Sequence, residues 1–419
     1  MNNSKPNFKR TRLACYSAYF TISSIFSLPP LLFLTFREAY NISYTLLGTL
    51  VLTNFCTQLL VDLIFTFFAK HFNTAKVIKI MPLITSLGLA FYAIIPSIFP
   101  NIAYLGLLIG TIIFSISAGL SEVLLSPTIA AMPSDNPQRD MSNLHSLYAF
   151  GVFSVVTFGT LFLKLFGHNN WMWLVLIFAA LPIFSAVLFA ISPIPDMDNS
   201  EAIVKVSSSR KRIIGIGLCA GCIFFGSCSE NAMTNWISSY MENALHIDKA
   251  IGDILGMALF AVMLGLTRIV YGKFGKNIMR VLLGGMIGAA ACYLTIGLCN
   301  NTVLSFTACV LTGIFTSMLW PGTLIMMEEQ IPNVSVAAYA LMAASGDMGA
   351  SISPQLLGIV TDTVSQSSFA EKIAPTLNLT VEQIGLKTGM LTTALFPIFG
   401  TVLMIFIMHY FKNQKSTQI

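Results

Sequence analysis

Three acidic side chains stand within long apolar stretches of the sequence: Glu122, Glu230 and Asp347. A charged group in the middle of a lipid bilayer costs about 2.5–3.5 kcal/mol, so each of them needs a reason to be there. A carboxyl that releases and takes up a proton near neutral pH is the group that proton coupling requires. All three residues are therefore candidates for proton coupling. The alternative is a structural role, in which a protonated carboxyl or an interhelical hydrogen bond serves packing.

A polar stripe accompanies Glu230 along one face of a predicted helix. Asn231 offers paired hydrogen-bond donors and acceptors, and Trp236 offers a flat apolar surface. That combination suits a sugar, which has hydroxyl edges and a C–H face. The alternative is hydrogen bonding between helices. The other members of the stripe are Ser227, Thr234 and Ser238.

Further candidates for solute contact lie elsewhere in apolar stretches. Asn54 and Gln58 are one helical turn apart, and Trp320 stands directly before a proline at a predicted bend. The last three candidates lie at the start of one span: Asn143, His145 and Tyr148. Asn143 is alternatively a helix cap.

Two charged residues nearer the ends of apolar stretches are assigned to a gate or latch. Asp62 follows Gln58 by four residues and lies near the inner end of its stretch. Arg268 lies one turn from the end of its stretch, and from there its long side chain can reach the membrane interface.

The elements that carry these residues belong in a membrane. Of the 419 residues, 55% are hydrophobic and 10% are charged, and the mean hydropathy is +0.77. A soluble domain carries about 25% charged residues, so a soluble enzyme, a disordered chain and a nucleic-acid binder are excluded. Runs of roughly 20 apolar residues cross a bilayer as helices. The sequence predicts twelve spans, at 13–36, 44–68, 77–99, 102–132, 142–166, 171–192, 213–242, 249–272, 279–299, 302–331, 336–365 and 387–411.

The distribution of basic residues predicts the orientation. With the N-terminus inside, 17 of the 23 Lys and Arg residues lie on the inner side and Arg268 lies within a span. Basic residues favour the cytoplasmic side, so we expect both termini in the cytoplasm, in a bacterial plasma membrane. The five residues expected on the outer side are Arg37, Lys164, Lys249, Lys372 and Lys387.

The loop before the last span contains a capping-box pattern. Gln383 follows Thr380 by three residues, the spacing at which each side chain bonds the backbone N–H of the other residue. We expect a short helix to begin there.

A polar segment in the middle of the chain separates two groups of six spans. It predicts an N-terminal bundle at 1–192, a cytoplasmic linker at 193–212 and a C-terminal bundle at 213–419. The expected fold is therefore all-α, with twelve transmembrane helices in two pseudo-symmetric six-helix bundles.

The two groups also share local patterns. The fourth span has Gly119 followed after eight residues by Pro127, and the tenth has Gly313 and Pro321 at the same spacing. The fifth span has Gly151, and the eleventh has a corresponding Gly349. Repeats of this kind are typical of proteins that work by alternating access.

Several motifs are typical of one family. The stretch YGKFGK runs from Tyr271, and five others are GLSEVLLSP from Gly119, SNLHSLYAFG from Ser142, SENAMTNWISSY from Ser229, WPG from Trp320 and SGDMGASISP from Ser345. They resemble the major facilitator superfamily, and within it the fucose permease-like group of sugar:proton symporters. The resemblance implies the major facilitator fold. It also implies a latch role for the basic residues of the first motif, Lys273 among them.

One departure from that group concerns its acids. Its members carry an acidic residue in the first span, whereas the span at 13–36 has none. We therefore expect Glu122, at mid-depth in its own span, to be the single carboxyl that handles protons in the N-terminal half.

Together these features predict a secondary active transporter that moves a small polar solute, a sugar, by proton-coupled alternating access. Export of amphipathic compounds is the alternative, and a membrane sensor that binds its solute without moving it is a second. The sequence has no phosphate-binding loop, zinc spacing or nucleophile motif, so we expect neither an enzyme nor a cofactor or metal. The expected partners are the solute, protons and lipid, with the chain acting as a monomer.

Overall fold

The structure is a computed structural model that describes residues 8–68, 71–135, 137–195, 210–331 and 336–416. The first six long helices follow one another closely along the chain. They are α1 (Lys9–Tyr40), α2 (Tyr44–Phe68), α3 (Thr74–Ile98), α4 (Ala103–Ala130), α5 (Pro137–Phe166) and α6 (Trp171–Ala190).

The second half of the chain is more interrupted. The short α8 (Lys249–Ile251) continues through a π-helix (Gly252–Ala258) into α9 (Leu259–Phe274). The remaining helices are α7 (Arg210–Asn243), α10 (Ile278–Leu298), α11 (Thr302–Thr316), α12 (Pro321–Gln330), α13 (Val336–Ser365), α14 (Ser368–Leu377), α15 (Val381–Thr393) and α16 (Leu395–Ser416).

The helices account for the predicted membrane spans. Among the described residues, ten helical stretches are long and apolar enough to cross a membrane. The fifth and eleventh predicted spans correspond to α5 and α13, which have 30 residues each. At 1.5 Å per residue such a helix exceeds a hydrocarbon core of roughly 30 Å. The chain is an all-helical, multi-pass membrane protein.

The chain forms two compact units. The first comprises Met1–Ile42 and Thr53–Glu201, and the second comprises Ser43–Leu52 and Ala202–Ile419. The first turns of α2 thus group with the second unit, a detail absent from the sequence prediction. Most of the predicted linker, residues 196–209, lies outside the described residues, so the predicted domain boundaries stay a prediction.

Glycines bring helices into close contact at corresponding places in the two units. A Cβ added at Gly151 on α5 would lie 2.7 Å from the carbonyl oxygen of Phe20 on α1. A Cβ added at Gly349 on α13 would collide with the carbonyl oxygen of Phe224 on α7. Small residues allow such approaches between membrane helices. The pairing of these two glycines in the sequence therefore reflects an equivalent helix crossing.

The tenth span breaks where its proline stands. α11 ends at Thr316 and α12 begins at Pro321. Proline has no N–H to donate to the carbonyl four residues earlier, which here belongs to Ser317. Regular bonding resumes with Gly322, whose N–H donates to the carbonyl of Met318 (2.8 Å). The break leaves the Ser317 carbonyl in need of another donor.

The last span begins earlier than predicted. Both bonds of the Thr380–Gln383 capping box are present, and they start α15 at Val381. The predicted helix start is confirmed, but that helix is long enough to include Lys387. The side chain of Lys387 is buried, and its Nζ donates to the carbonyl of Cys299. Its expected position on the outer side of the membrane stays a prediction.

The cysteines pack as small apolar side chains. All eight are free thiols. Cys219 and Cys222 lie with Leu282 and Met404 in the apolar core of the second unit. The Cys-x-x-Cys spacing therefore belongs to helix packing in this structure, as expected for thiols inside a membrane helix.

Candidate solute and proton sites

In the first unit, α2 and α4 present a ladder of polar groups to each other. The Oδ1 of Asn54 accepts hydrogen bonds from the Oγ of Ser115 (2.6 Å) and the Nε2 of Gln58 (3.0 Å). One turn further, a Cβ added at Gly119 would lie 3.2 Å from the Cα of Gln58. The glycine lets the two backbones approach and keeps the ladder in register. Asn54 and Gln58 are both buried and bonded to each other.

Two acidic side chains, Asp62 on α2 and Glu122 on α4, follow these polar groups along the same pair of helices. A carboxylate oxygen of Asp62 and one of Glu122 lie within 4.8 Å of each other. Asp62 is half-buried and Glu122 is exposed at the protein surface. The register set by Asn54 and Ser115 brings them together, because each acid follows by seven or eight residues on its own helix.

This pairing bears on two expectations. Asp62, which the sequence assigns to a gate or latch, lies beside Glu122, and its gate role stays a prediction. Glu122, expected to be the single carboxyl that handles protons in its half, has a second carboxyl nearby. The sequence argument judged depth helix by helix and did not consider the register between α2 and α4.

Two carboxyls this close hold protons in a way that one does not. If both are ionised, their charges repel, and protonation of one of them removes the repulsion. Such a group can take up one proton on one side of a membrane and release it on the other.

In the second unit, the corresponding charged group is an ion pair. The Nη2 of Arg268 on α9 lies 3.4 Å from Oε1 and 3.5 Å from Oε2 of Glu230 on α7. The Nε of Arg268 donates to the carbonyl of Ser317 (2.9 Å). This is the carbonyl that Pro321 leaves without its helical donor. The proline thus creates the acceptor that holds the arginine.

The ion pair bears on the prediction for Arg268. Its guanidinium is bonded to Glu230 and to Ser317, and the gate or latch role of Arg268 stays a prediction. The side chain of Arg268 is 39% exposed and that of Glu230 is 20% exposed. The sequence contained one usable signal, the proline that frees a carbonyl, but not the partner.

Two candidates in the polar stripe on α7, Asn231 and Trp236, form hydrogen bonds within the protein. Asn231 is half-buried and its amide nitrogen donates to the carbonyl and the Oγ of Ser227 (both 3.2 Å). Trp236 is fully buried. Its indole N–H donates to the carbonyl of Pro354 on α13 (3.1 Å), and its ring packs against Tyr44. The geometry at Trp236 favours the interhelical alternative over solute contact.

Two further candidates belong to the second unit, Trp320 and Asp347. A Cβ added at Gly346 would collide with the ring of Trp320. The indole therefore packs closely against α13 and remains half-buried. Asp347 follows on the same helix and is 7% exposed. A partly accessible indole and a buried acid stay candidates for solute contact and for proton coupling.

A buried charge network at the π-helix has no counterpart among the sequence-based candidates. Asp253 is 1% exposed and accepts a short hydrogen bond from the Oγ of Ser238. Lys249 lies 3.4 Å from Asp253 and 3.8 Å from Glu242. π-helical turns are frequent at functional sites. The i, i+4 spacing of Lys249 and Asp253 was the available signal.

A second group that sequence reasoning missed holds the start of α2. The carboxylate of Asp362 on α13 accepts from the backbone N–H groups of Tyr44 (3.2 Å) and Thr45 (2.6 Å). The hydroxyl of Tyr44 donates to Glu382 (2.6 Å) and accepts from the amide of Asn243 (2.7 Å). An acid at a helix N-terminus satisfies free N–H groups and interacts favourably with the helix dipole.

The remaining candidates contribute less. Asn143, His145 and Tyr148 lie on α5, and their side chains are outside the described residues. Lys273 is exposed at the end of α9.

Fold and composition define the class of protein, a multi-pass helical membrane protein, and a family model identifies it further. Residues 14–354 match the model of the Major Facilitator Superfamily. This match covers well over half of the sequence. The chain belongs to the major facilitator superfamily, and the predicted fold and family are confirmed. A comparison with curated protein sequences finds no significant match.

Solved structures share this fold at low sequence identity. A bacterial homolog of the human lysosomal transporter Spinster, in an inward-facing and occupied conformation, has a TM-score of 0.74 and 14% identity, covering 98% of this chain and 99% of that one. A D-xylose-proton symporter has a TM-score of 0.70 and 14% identity, covering 93% and 96%. The fucose:proton symporter of E. coli has a TM-score of 0.57 and 14% identity, covering 94% and 99%.

Proposed function

We propose that this protein is a secondary active transporter that moves a small polar solute, a sugar, by alternating access coupled to protons. The observation that carries the proposal is the Asp62–Glu122 pair, whose carboxylate oxygens lie within 4.8 Å of each other. A shared proton suits this pair better than two charges do. Loss and gain of that proton links the charge of the first unit to the pH on the side to which it is open.

The solute class rests on two lines of support. Amide and hydroxyl groups such as Asn54, Gln58 and Asn231 lie beside the charged groups, and they bond well to a hydroxylated solute. Two structures that share the fold are, by their titles, a D-xylose-proton symporter and a fucose:proton symporter. At 14% identity these structures share the fold with this chain, and their titles make a sugar the solute class that we propose.

Topology and location are further parts of the proposal. Both termini face the cytoplasm of a bacterium, and residues 193–212 join two six-helix bundles. Cysteines introduced at Gln366 and at Asn413 should label from opposite sides, Gln366 from outside. Labelling of both from one side contradicts the twelve-helix topology.

Uptake into proteoliposomes tests the function. A solute that the protein transports should accumulate when the outer side is acidified and should only equilibrate without the pH gradient. Glu122→Gln should retain exchange but accumulate clearly less solute than the parent. Asp135→Asn, which removes an exposed loop acid, is the matched control and should behave as the parent.

The two competing functions give different outcomes in the same assay. An exporter of amphipathic compounds accumulates apolar cations or dyes and ignores sugars. A sensor binds its solute but moves none of it. Either result contradicts the proposal.

A further inference from the structure

The guanidinium of Arg268 is held by two acceptors and has capacity for a third. Its Nε is bonded to Ser317 and its Nη2 to Glu230. Among the described residues no acceptor lies within hydrogen-bond distance of Nη1. The side chain is 39% exposed. A guanidinium presents its donors in a planar fork that matches a carboxylate.

The charges around this guanidinium determine which combinations of bound proton and bound anion are stable. From 213 to 272 the sequence contains only one other basic residue, Lys249, which pairs with Asp253 and Glu242. The ion pair of Arg268 is with Glu230. The other elements packed against α7 also carry titratable residues. These are Asp253 on the π-helix, Glu328 and Glu329 on α12, Asp347 and Asp362 on α13, Glu382 and Lys387 on α15, and His409, Lys412 and Lys415 on α16. α10 presents an uncharged group, the phenol of Tyr293, which donates to the carbonyl of Ser229 (2.7 Å).

Two states of this group are electrically neutral. In one, Glu230 is ionised and pairs with Arg268. In the other, Glu230 is protonated and an external anion pairs with Arg268. The remaining combinations leave one net charge within a membrane helix bundle, which is costly. Binding of an anion and binding of a proton therefore favour each other.

We propose that the transported solute carries a single carboxylate, as a sugar acid does, and that this carboxylate binds Arg268 while Glu230 takes up a proton. The inference rests on the proposed function and specifies its substrate class. One positive charge balances one negative charge, so a monocarboxylate fits better than a phosphate ester with two charges.

The test compares acids with their neutral counterparts on the purified full-length protein. D-glucuronate is paired with D-glucose, and D-gluconate with D-sorbitol. A ligand that binds the folded state raises the melting temperature, and its concentration dependence yields the affinity. At least one acid should bind about tenfold or more tightly than its neutral counterpart, the worth of one charge-assisted hydrogen bond. Its binding should be stronger in mildly acidic than in mildly alkaline buffer.

Three variants assign that preference to the ion pair. Glu230→Gln should bind the acid with no pH dependence, because the site no longer needs a proton. Glu230→Gln combined with Arg268→Gln removes both charges together, so it leaves no unpaired acid to disturb folding, and it should lose the preference for the acid. Arg280→Gln removes an exposed arginine at the start of α10 and should bind as the parent does.

The possible failures are distinguishable. If neither acid binds more tightly than its neutral counterpart, or if the double variant keeps the preference, the carboxylate inference is overturned. If neutral sugars accumulate in proteoliposomes with Arg268→Gln as they do with the parent, this inference is also overturned, while the proposed function stands. If the acids bind as expected and no solute accumulates, the inference is supported and the transport proposal fails.

Discussion

The two units hold their membrane-embedded charges in opposite ways. In the first, Asp62 and Glu122 place two acids within 4.8 Å of each other. In the second, Glu230 lies 3.4 Å from Arg268. Two acids need a proton to coexist, whereas an acid and a base do not. The comparison separates two tasks. The acid pair of the first unit is suited to carry a proton. In the second unit, Glu230 takes up a proton when an anion binds Arg268.

The difference arises from how each unit treats its Gly-Pro helix. α4 continues without interruption past Gly119 and Pro127 to Ala130, and on it Glu122 lies beside Asp62 of α2. The equivalent helix of the second unit breaks between Thr316 and Pro321. The freed Ser317 carbonyl then holds Arg268 next to Glu230. The same sequence pattern thus positions an acid in one unit and a base in the other.

The largest expected effect concerns the acid pair. Glu122→Gln mimics a permanently protonated carboxyl and leaves Asp62 unable to share a proton with it. The variant should bind and exchange solute but lose the part of the accumulation that the acid pair drives, about tenfold per pH unit for one coupled proton. Asp62→Asn should lose this part as well. Solute uptake under an imposed pH gradient measures both.

The opposite result reverses the comparison between the units. If Glu122→Gln accumulates solute nearly as well as the parent, the proton is carried by Glu230 or Asp347 in the second unit.

The next effect tests whether the two units share a helix crossing. Gly349→Ala should destabilise the fold by about 1–3 kcal/mol, because the new Cβ meets the backbone of α7. Gly151→Ala should cost a similar amount through contact with α1. Gly217→Ala is the control, since a Cβ there meets nothing within 4 Å. Thermal unfolding in detergent compares the three, and equal stability of Gly349→Ala and Gly217→Ala contradicts the close approach.

A smaller effect is expected at the ion pair. Arg268→Gln leaves the partly buried Glu230 without its partner, which should lower stability by about 1–2 kcal/mol, less than at a fully buried pair. Adding Glu230→Gln should recover part of that loss, because it removes the unpaired charge. A double-mutant cycle of melting temperatures measures the coupling. Strictly additive effects contradict an interaction between the two side chains.

The smallest effect is expected far from both sites. Thr380→Ala removes one bond of the capping box and should cost about 1 kcal/mol. Solute binding should not change. Altered affinity in this variant would show that the start of α15 influences solute binding. The comparison between the acid pair and the ion pair would then have to include α15.

The sequence predicted the helices and the family better than the sites. Span limits followed from apolar length, and the start of α15 followed from Thr380 and Gln383, because both signals act within a few residues along the chain. The candidates Asp62 and Arg268 were found, but their roles were judged from distance to a helix end. Trp236 has the composition of a sugar contact, yet its indole N–H is bonded to Pro354.

The amino-acid sequence by itself determined that this chain crosses a membrane as a series of helices, because the cost of exposing backbone polar groups to lipid leaves no other choice. It also determined which polar residues lie in those helices. Only the tertiary structure decided which of them meet. The register between α2 and α4 pairs Asp62 with Glu122, and the break before Pro321 turns Arg268 toward Glu230. Such pairings depend on side chains brought together from distant positions, and the pattern along a single helix does not contain that information.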